Sequence, residues 1–306
     1  MRQKNAALVS VISNSTLVLF KIIAGIATGS VSIISEAIHS SIDLAAAVMA
    51  FFSIRQAGVP PDSHHPYGHG KIENLSAVVE AVLIIIAAVL IVLEAVHKIR
   101  MGIALSMPGV AIAVMGVSVA VNFFVSRYLF KVAKQTDSPA LEADARHLTA
   151  DIYSSLAVFA ALVLIALTGR QIIDPIAAVS IALLIFYEGV MITKKSIGSL
   201  LDKALPEEEL ASIKKILDAE SRNIKDYHDL RTRMAGCERH IDLHLTVCAN
   251  ETISKTHTTM DEIENSISQQ LNNCKVVIHP EPCGNMTDMC PDECGWNKDN
   301  GGKRRG

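Results

Sequence analysis

Long apolar segments recur along the first two-thirds of the chain, and they constrain its fold more than any other feature. A helix needs about 20 largely apolar residues to cross the hydrocarbon core of a bilayer. Segments of about that length fall at residues 7–27, 32–54, 76–97, 105–128, 147–168 and 174–193. We therefore predict that residues 1–204 form a membrane-spanning, all-α bundle of six helices.

The composition agrees with a membrane protein. Hydrophobic residues make up 50% of the chain and charged residues 19%, whereas an ordinary soluble domain has about 25% charged residues. The net charge is only −3, and no basic stripe with interleaved aromatic residues occurs. We therefore expect no nucleic-acid partner.

The short loops differ in their content of lysine and arginine. One side of the predicted bundle carries ten of these residues, Arg55 and Lys194 among them, whereas the other side carries Lys98, Arg100 and Arg170. Because basic loops stay in the cytoplasm, the first side is predicted to be cytoplasmic. Both termini then face the cytosol.

The pattern changes after residue 204 to that of a small soluble domain. Pro206 and the three acids after it favour the start of a helix. Alternating apolar residues over 241–247 predict a strand, residues 255–271 have helical spacing, and 276–278 read as a last strand. We expect a cytosolic α+β domain over residues 205–283, with its elements in the order αββαβ.

All six cysteines lie after residue 236. Cys237, Cys248 and Cys274 are predicted to be small buried residues of the soluble domain. Cys283, Cys290 and Cys294 fit no standard zinc motif, and a weak soft-metal site is one alternative for them. Residues 284–306 are rich in Gly, Asn and Asp, and this cysteine-containing tail is expected to be disordered.

Ionisable side chains inside a membrane span are costly, so each is a candidate for function. His39 and Asp43 are four residues apart in the second predicted span, and His147 and Asp151 repeat this spacing in the fifth, so each pair shares one helical face. Two imidazoles and two carboxylates suit a tetrahedral divalent ion, Zn²⁺ above all. The alternative is a structural pair of buried His–Asp hydrogen bonds, which the repeated spacing disfavours.

The loop after the second span carries Asp62, His64, His65 and His69. The spacing of Asp62, His65 and His69 predicts a three-ligand surface metal site with one position open to water. The alternative is a solvated polar loop. The sequence assigns no role to His64.

Three motifs are specific: SVSIISEAIHSSID at residues 30–43, YGHGKIE at 67–73 and DARHLTAD at 144–151. With them the chain resembles the cation diffusion facilitator family over nearly its whole length. The resemblance implies a six-helix membrane domain, a cytosolic metallochaperone-like domain and a homodimeric zinc/proton antiporter of the bacterial ferrous-iron/zinc efflux type. It also implies two metal sites, a transport site at His39, Asp43, His147 and Asp151 and a loop site at Asp62, His65 and His69.

The resemblance further implies a metal site in the cytosolic domain that holds one or two ions, with an acidic residue as the bridging ligand. The family positions fall on His228, His244, His257, His279 and Glu281. A charge pair between Lys71 and Asp202 is implied at the membrane–cytosol junction of the dimer. Glu36 and Asp144 lie within one turn of the predicted ligands His39 and His147 and are candidate supports for them.

These sites predict a secondary active transporter and not an enzyme. A histidine must be neutral to bind metal, so zinc from the cytosol would displace protons from His39 and His147. An intramembrane metalloenzyme would need a zinc ion with one coordination position open to water, but the four predicted ligands leave none. The chain also has no His-Glu-x-x-His motif. A metal-sensing scaffold that does not transport would need no group of four ionisable residues in its spans. An exporter of Fe²⁺, Mn²⁺ or Cd²⁺ with the same fold is the closest alternative, and only the two imidazoles of the predicted site favour zinc over these ions.

Overall fold

The computed structural model of the chain describes residues 2–28, 31–101, 109–168, 173–220 and 224–283. Within these ranges the chain forms two compact units, one over residues 1–200 and the other over residues 201–306. The tail beyond residue 283, with Cys290 and Cys294, lies outside the described residues.

Six long helices build the first unit, as the sequence predicts. They are α1 (Arg2–Thr28), α2 (Val31–Ala57), α3 (Lys71–Met101), α4 (Gly109–Thr136), α5 (Pro139–Thr168) and α6 (Ile173–Leu200). At about 1.5 Å per residue, even the shortest is about 40 Å long, whereas the hydrocarbon core is about 30 Å thick. The helices therefore extend past the predicted spans into polar flanks. The start of the predicted fourth span, residues 105–108, lies outside the described ranges.

Among the described residues, four helices are long and apolar enough to cross a membrane: α1, α3, α4 and α6. The two others, α2 and α5, carry the His and Asp residues predicted as transport ligands. The outer faces of the bundle are rich in exposed large apolar side chains such as Leu19, Phe124 and Leu183. Such faces suit contact with lipid, and the predicted membrane bundle is confirmed.

Small residues let the helices approach closely. Ala6 and Ala7 of α1 pack with Ala133 of α4 and Ala140 and Ala145 of α5, all at most 5% exposed. On the other side of the bundle, α6 lies against α3 at Gly189. A Cβ at this glycine would come within 2.7 Å of Ile85 Cγ1 and 3.2 Å of the Ala81 carbonyl oxygen.

The start of α5 is fixed by Ser138. The Ser138 hydroxyl accepts a hydrogen bond from the Leu141 amide at 3.4 Å, which caps one free backbone donor of the first turn. The same hydroxyl donates to the carboxylate of Glu73, which is 2% exposed in the first turn of α3. These contacts set the position of the helix that carries His147 and Asp151.

The second unit is an α+β domain with the predicted element order. It contains α7 (Glu207–Ala219), β1 (Asp226–Ala235), β2 (Glu238–Val247), α8 (Ile253–Gln270) and β3 (Cys274–Pro282). The sheet order is β1-β2-β3, with β1 antiparallel and β3 parallel to β2. Helix α8 is the crossover that parallel pairing of β2 and β3 requires.

One face of this sheet is covered and the other carries polar side chains. Ile241, Leu243 and Leu245 of β2 are at most 1% exposed and pack against Ile213 of α7 and Ile263 of α8. The alternate residues of β2, from Glu238 to Thr246, lie on the opposite face. His244 is therefore held on a rigid strand and away from the apolar core.

Sequence reasoning expected two strands before α8 but located only the second. β1 is rich in charged residues, and its register slips between His228 and Arg231. Asp229, at the slip, has a φ of +51°. This bulge breaks the alternation of apolar and polar residues that would otherwise indicate a strand.

Candidate metal sites

Three of the four predicted transport residues come together inside the helical bundle. The ligand atoms of Asp43 on α2 and of His147 and Asp151 on α5 all lie within 4.8 Å of one another. The His147 Nε2 atom is 3.1 Å from Asp43 Oδ1. Asp43 and His147 are each 6% exposed, so this group forms a nearly dry cluster of one nitrogen and two carboxylate donors.

His39 lies on α2 one turn before Asp43, on the same face of the helix. Its side chain, like that of Glu36, lies outside the described part of the structure. Its role as a fourth ligand stays a prediction.

Two further carboxylates lie behind the cluster. Glu80 of α3 is 0% exposed and Asp144 of α5 is 2% exposed. Ser76 Oγ donates to Glu80 Oε1 at 3.5 Å, and Ser10 of α1 hydrogen-bonds to Asp144. The second oxygen of each carboxylate has no hydrogen-bond partner among the described residues. Sequence reasoning offered Asp144 as a support for His147 but gave Glu80 no role.

A buried cation was also missed. Lys21 of α1 is 5% exposed, and its Nζ donates to Ser40 Oγ of α2 at 2.7 Å. Ser40 is the residue after His39. The signal was present in the sequence, because a lysine inside the predicted span 7–27 is as unusual as a histidine there.

The loop residues Asp62, His65 and His69 also form a compact group, with ligand atoms within 4.8 Å of one another. His69 Nε2 lies 3.5 Å from Asp62 Oδ2, and His65 Nδ1 lies 3.4 Å from Asp62 Oδ1. His69 is 8% exposed, and its Nδ1 has no hydrogen-bond partner among the described residues. The side chains of Asp62 and His65 are open to solvent.

The loop backbone holds Asp62 in place. Asp62 Oδ1 accepts hydrogen bonds from the amides of His65 at 2.7 Å and His64 at 2.9 Å. The His65 amide is the main cause that lowers the pKa of Asp62 below its usual value. Gly68, at a φ of +85°, makes the turn that leads to His69.

In the soluble domain the three strands bring His228, His244 and Glu281 together, with ligand atoms within 4.8 Å of one another. Glu281 Oε2 is 3.1 Å from His228 Nε2, and Glu281 Oε1 is 3.0 Å from His244 Nδ1. His279 pairs with His244 in the register, and their ring centroids are 4.9 Å apart. Glu281 therefore connects two imidazoles, as a bridging carboxylate would.

His257 lies elsewhere in the described chain. It is on α8, where its Nδ1 is 3.0 Å from Asp261 Oδ2, and it is not in the group formed by His228, His244 and Glu281. Its role as a ligand stays a prediction.

Lys71 Nζ donates to the Leu200 carbonyl oxygen at 3.3 Å, and Asp202 Oδ1 accepts from Arg233 at 3.4 Å. The charge pair of Lys71 with Asp202 likewise stays a prediction.

Helical bundle and soluble domain each match a known family. Residues 7–201 match the family described as "Cation efflux transmembrane domain", and residues 205–283 match "Cation efflux protein, cytoplasmic domain". The chain therefore belongs to the cation efflux family, also called the cation diffusion facilitators. It is a multi-pass membrane protein, and its family consists of transporters and not of enzymes.

Several individual proteins are also similar to this chain. An uncharacterized transporter of Synechocystis sp. is 32% identical over 83% of this chain and 82% of its own length. The cation-efflux pump FieF of Serratia proteamaculans is 32% identical over 92% of this chain and 93% of its own. A solved structure of CzrB in its zinc form is 31% identical, covers 28% of this chain and 99% of that chain, and has a TM-score of 0.26.

Proposed function

We propose that this protein exports Zn²⁺ from the cytosol in exchange for protons, through a site made by His39, Asp43, His147 and Asp151. The observation that carries the proposal is the close group of Asp43, His147 and Asp151 ligand atoms within 4.8 Å, inside the membrane bundle. Ionisable groups are retained at such depth chiefly where an ion or proton passes.

The donor set favours zinc over harder ions. Asp43 and Asp151 supply carboxylate oxygens, and His147, with His39, supplies imidazole nitrogen. Mixed nitrogen and oxygen donors suit Zn²⁺ in tetrahedral geometry, whereas Mg²⁺, Ca²⁺ and Mn²⁺ prefer sites made of oxygen alone. Cd²⁺ and Fe²⁺ are the next candidates as cargo.

The contact between His147 and Asp43 gives a reason for proton exchange. The 3.1 Å contact between His147 Nε2 and Asp43 Oδ1 holds one shared hydrogen, carried either by the imidazole or by the carboxyl group. A metal ion needs the lone pair of the same nitrogen. Metal and hydrogen therefore compete for one atom, and protons that arrive from the far side would release the ion.

The other two sites are proposed to bind zinc as supports for transport. Asp62, His65 and His69 would hold an ion at the loop, and His228, His244, His279 and Glu281 would hold one or two ions in the cytoplasmic domain. Binding there would stabilise a homodimer when cytosolic metal is plentiful. The excess of lysine and arginine in the loops on one side supports an orientation with both termini in the cytosol, and the similarity to FieF supports the inner membrane of a bacterium.

Uptake into proteoliposomes tests the proposal. Purified protein is reconstituted, and zinc, cadmium, iron and manganese are compared with the receiving side kept acid. We expect zinc uptake that slows when an ionophore collapses the pH gradient. Tyr153→Phe is the matched control, because Tyr153 lies on the exposed face of α5 and is 44% exposed. Zinc uptake that is indifferent to the gradient would refute proton exchange, and preferential uptake of manganese or iron would refute the zinc assignment.

A further inference from the structure

Two cysteines lie next to each other where β2 and β3 end. Val247 pairs with Pro282 in the parallel ladder, and each is followed at once by a cysteine, Cys248 and Cys283. The Cys283 amide donates to the Val247 carbonyl oxygen at 2.8 Å, and the Cys248 carbonyl oxygen accepts from the Glu251 amide at 3.0 Å. Both backbones are thus fixed at the end of the sheet.

Continued one residue past the ends of β2 and β3, the alternation of side chains would give the two thiols the same face. His244 and Glu281 share the polar face of the sheet, since His244 Nδ1 is 3.0 Å from Glu281 Oε1. Cys248 is four residues after His244 and Cys283 is two after Glu281, and even separations keep a side chain on the same face. Both cysteines are partly exposed and, within the described chain, form no disulfide.

The spacing suits one cation between two sulfurs. Neighbouring strands lie about 4.7–4.9 Å apart. Two zinc–sulfur bonds of about 2.3 Å each span a sulfur–sulfur separation of up to about 4.6 Å, and the longer bonds of the larger Cd²⁺ ion span more. This region matches a cytoplasmic domain family, and thiols stay reduced in that compartment.

We propose that Cys248 and Cys283 form a dithiolate site for one soft cation, of the chemical class of cadmium or monovalent copper. Thiolates prefer such ions, whereas the neighbouring site of His228, His244 and Glu281 offers only nitrogen and oxygen. The polar face of one small sheet would then present two adjacent sites with different metal preferences. The inference is independent of the proposed transport function.

Two other described cysteines serve as controls. Cys274 lies at the opposite end of the sheet, where it pairs with Arg239, and its Sγ donates to the Leu271 carbonyl oxygen at 3.2 Å. Burial raises the pKa of the Cys274 thiol, which disfavours the thiolate that metal binding needs. Cys237 lies in the turn between β1 and β2.

Cadmium titration of the full-length protein in detergent tests the site. The protein carries Cys290→Ser and Cys294→Ser, is reduced beforehand and is kept without oxygen. We expect a sulfur-to-cadmium charge-transfer absorption that saturates at one cadmium per chain. Cys248→Ser or Cys283→Ser should each abolish it or weaken binding about tenfold or more, because a soft ion loses one of its two sulfurs. Cys274→Ser and Cys237→Ser should leave it unchanged.

A second measurement needs no substitution at the site. In the same background, cadmium should protect Cys248 and Cys283 together from alkylation, as read by mass spectrometry of their peptides, and should leave Cys237 unprotected. Equal alkylation with and without cadmium would overturn the proposal, as would an absorption band that persists in both site variants. Zinc uptake by Cys248→Ser should match that of the parent, so failure of this site and failure of the transport proposal are distinguishable.

Discussion

The His147 Nε2 atom lies 3.1 Å from Asp43 Oδ1, and this contact joins α5 to α2 inside the membrane bundle. The two residues are 104 positions apart in the chain. Asp151 adds a second carboxylate from the next turn of α5. A metal ion that binds both residues can replace this bond between an imidazole and a carboxylate.

Asp151→Ala removes one ligand and leaves the contact of His147 with Asp43 intact. Tight zinc binding by four ligands is worth about 10–16 kcal/mol in total, so loss of one should cost about 3 kcal/mol, or about a hundredfold in Kd. We expect zinc uptake into proteoliposomes to stop while the protein still inserts and folds. Full transport by this variant would refute the site assignment.

His39→Asp keeps four ligands but replaces a nitrogen with an oxygen. A harder site discriminates less against manganese. We expect zinc uptake to persist and uptake of manganese to rise relative to zinc, measured with competing ions. The paired control is His39→Ala, which should lose zinc uptake. If both variants behave alike, His39 is not a ligand.

Asp62 accepts hydrogen bonds from the loop backbone and is also a predicted metal ligand, and substitutions can separate these two roles. Asp62→Asn keeps an oxygen that accepts from the His64 and His65 amides but loses the negative charge that favours a metal ion. We expect Asp62→Asn, like His65→Ala, to lower the number of zinc ions bound while the loop amides stay protected from hydrogen exchange. Asp62→Ala should lose both properties. Unchanged zinc stoichiometry in all three would exclude a loop site.

Zinc should stabilise the soluble domain expressed alone from about Leu205 to Cys283, which has its own apolar core. A ligand that binds only the folded state raises the melting temperature, and thermal melts with and without zinc measure this shift. The double variant His244→Ala with His279→Ala should lose most of it. His257→Ala should also reduce the zinc-induced shift in melting temperature if His257 is a ligand. It should leave the shift unchanged if His257 only contacts Asp261. A full zinc response in the double variant would place the site elsewhere.

We expect His240 to make the soluble domain sensitive to acid. Burial, followed by the positive charge of Arg233, lowers the pKa of His240 below its usual value of 6.5. The unfolded chain therefore binds a proton before the folded one as the pH falls, and stability is lost below about pH 6.5. His240→Gln should flatten this loss in metal-free urea unfolding at a series of pH values. An unchanged slope would show that another group controls it.

Periodicity and residue type were enough for the broad architecture. Six apolar runs predict the bundle, and the alternation over Ile241 to Val247 predicts β2. They were not enough for β1, because a bulge at Asp229 hides its alternation. The i, i+4 pairs placed His147 with Asp151 on one face, but only the packing of α2 against α5 brings Asp43 to His147. Glu80 was passed over although it lies inside the predicted span 76–97, because it has no His or Asp four residues away on its own helix.

The close approach at Gly189 restricts how the bundle can change shape. With no side chain at this position, the backbone of α6 fits between Ala81, Ile84 and Ile85 of α3. Sliding either helix along the other would drive the Ile85 side chain into the α6 backbone, so we expect the two helices to move together. In the proposed transport cycle, the change that exposes Asp43, His147 and Asp151 first to one side and then to the other is therefore expected at interfaces other than that between α3 and α6.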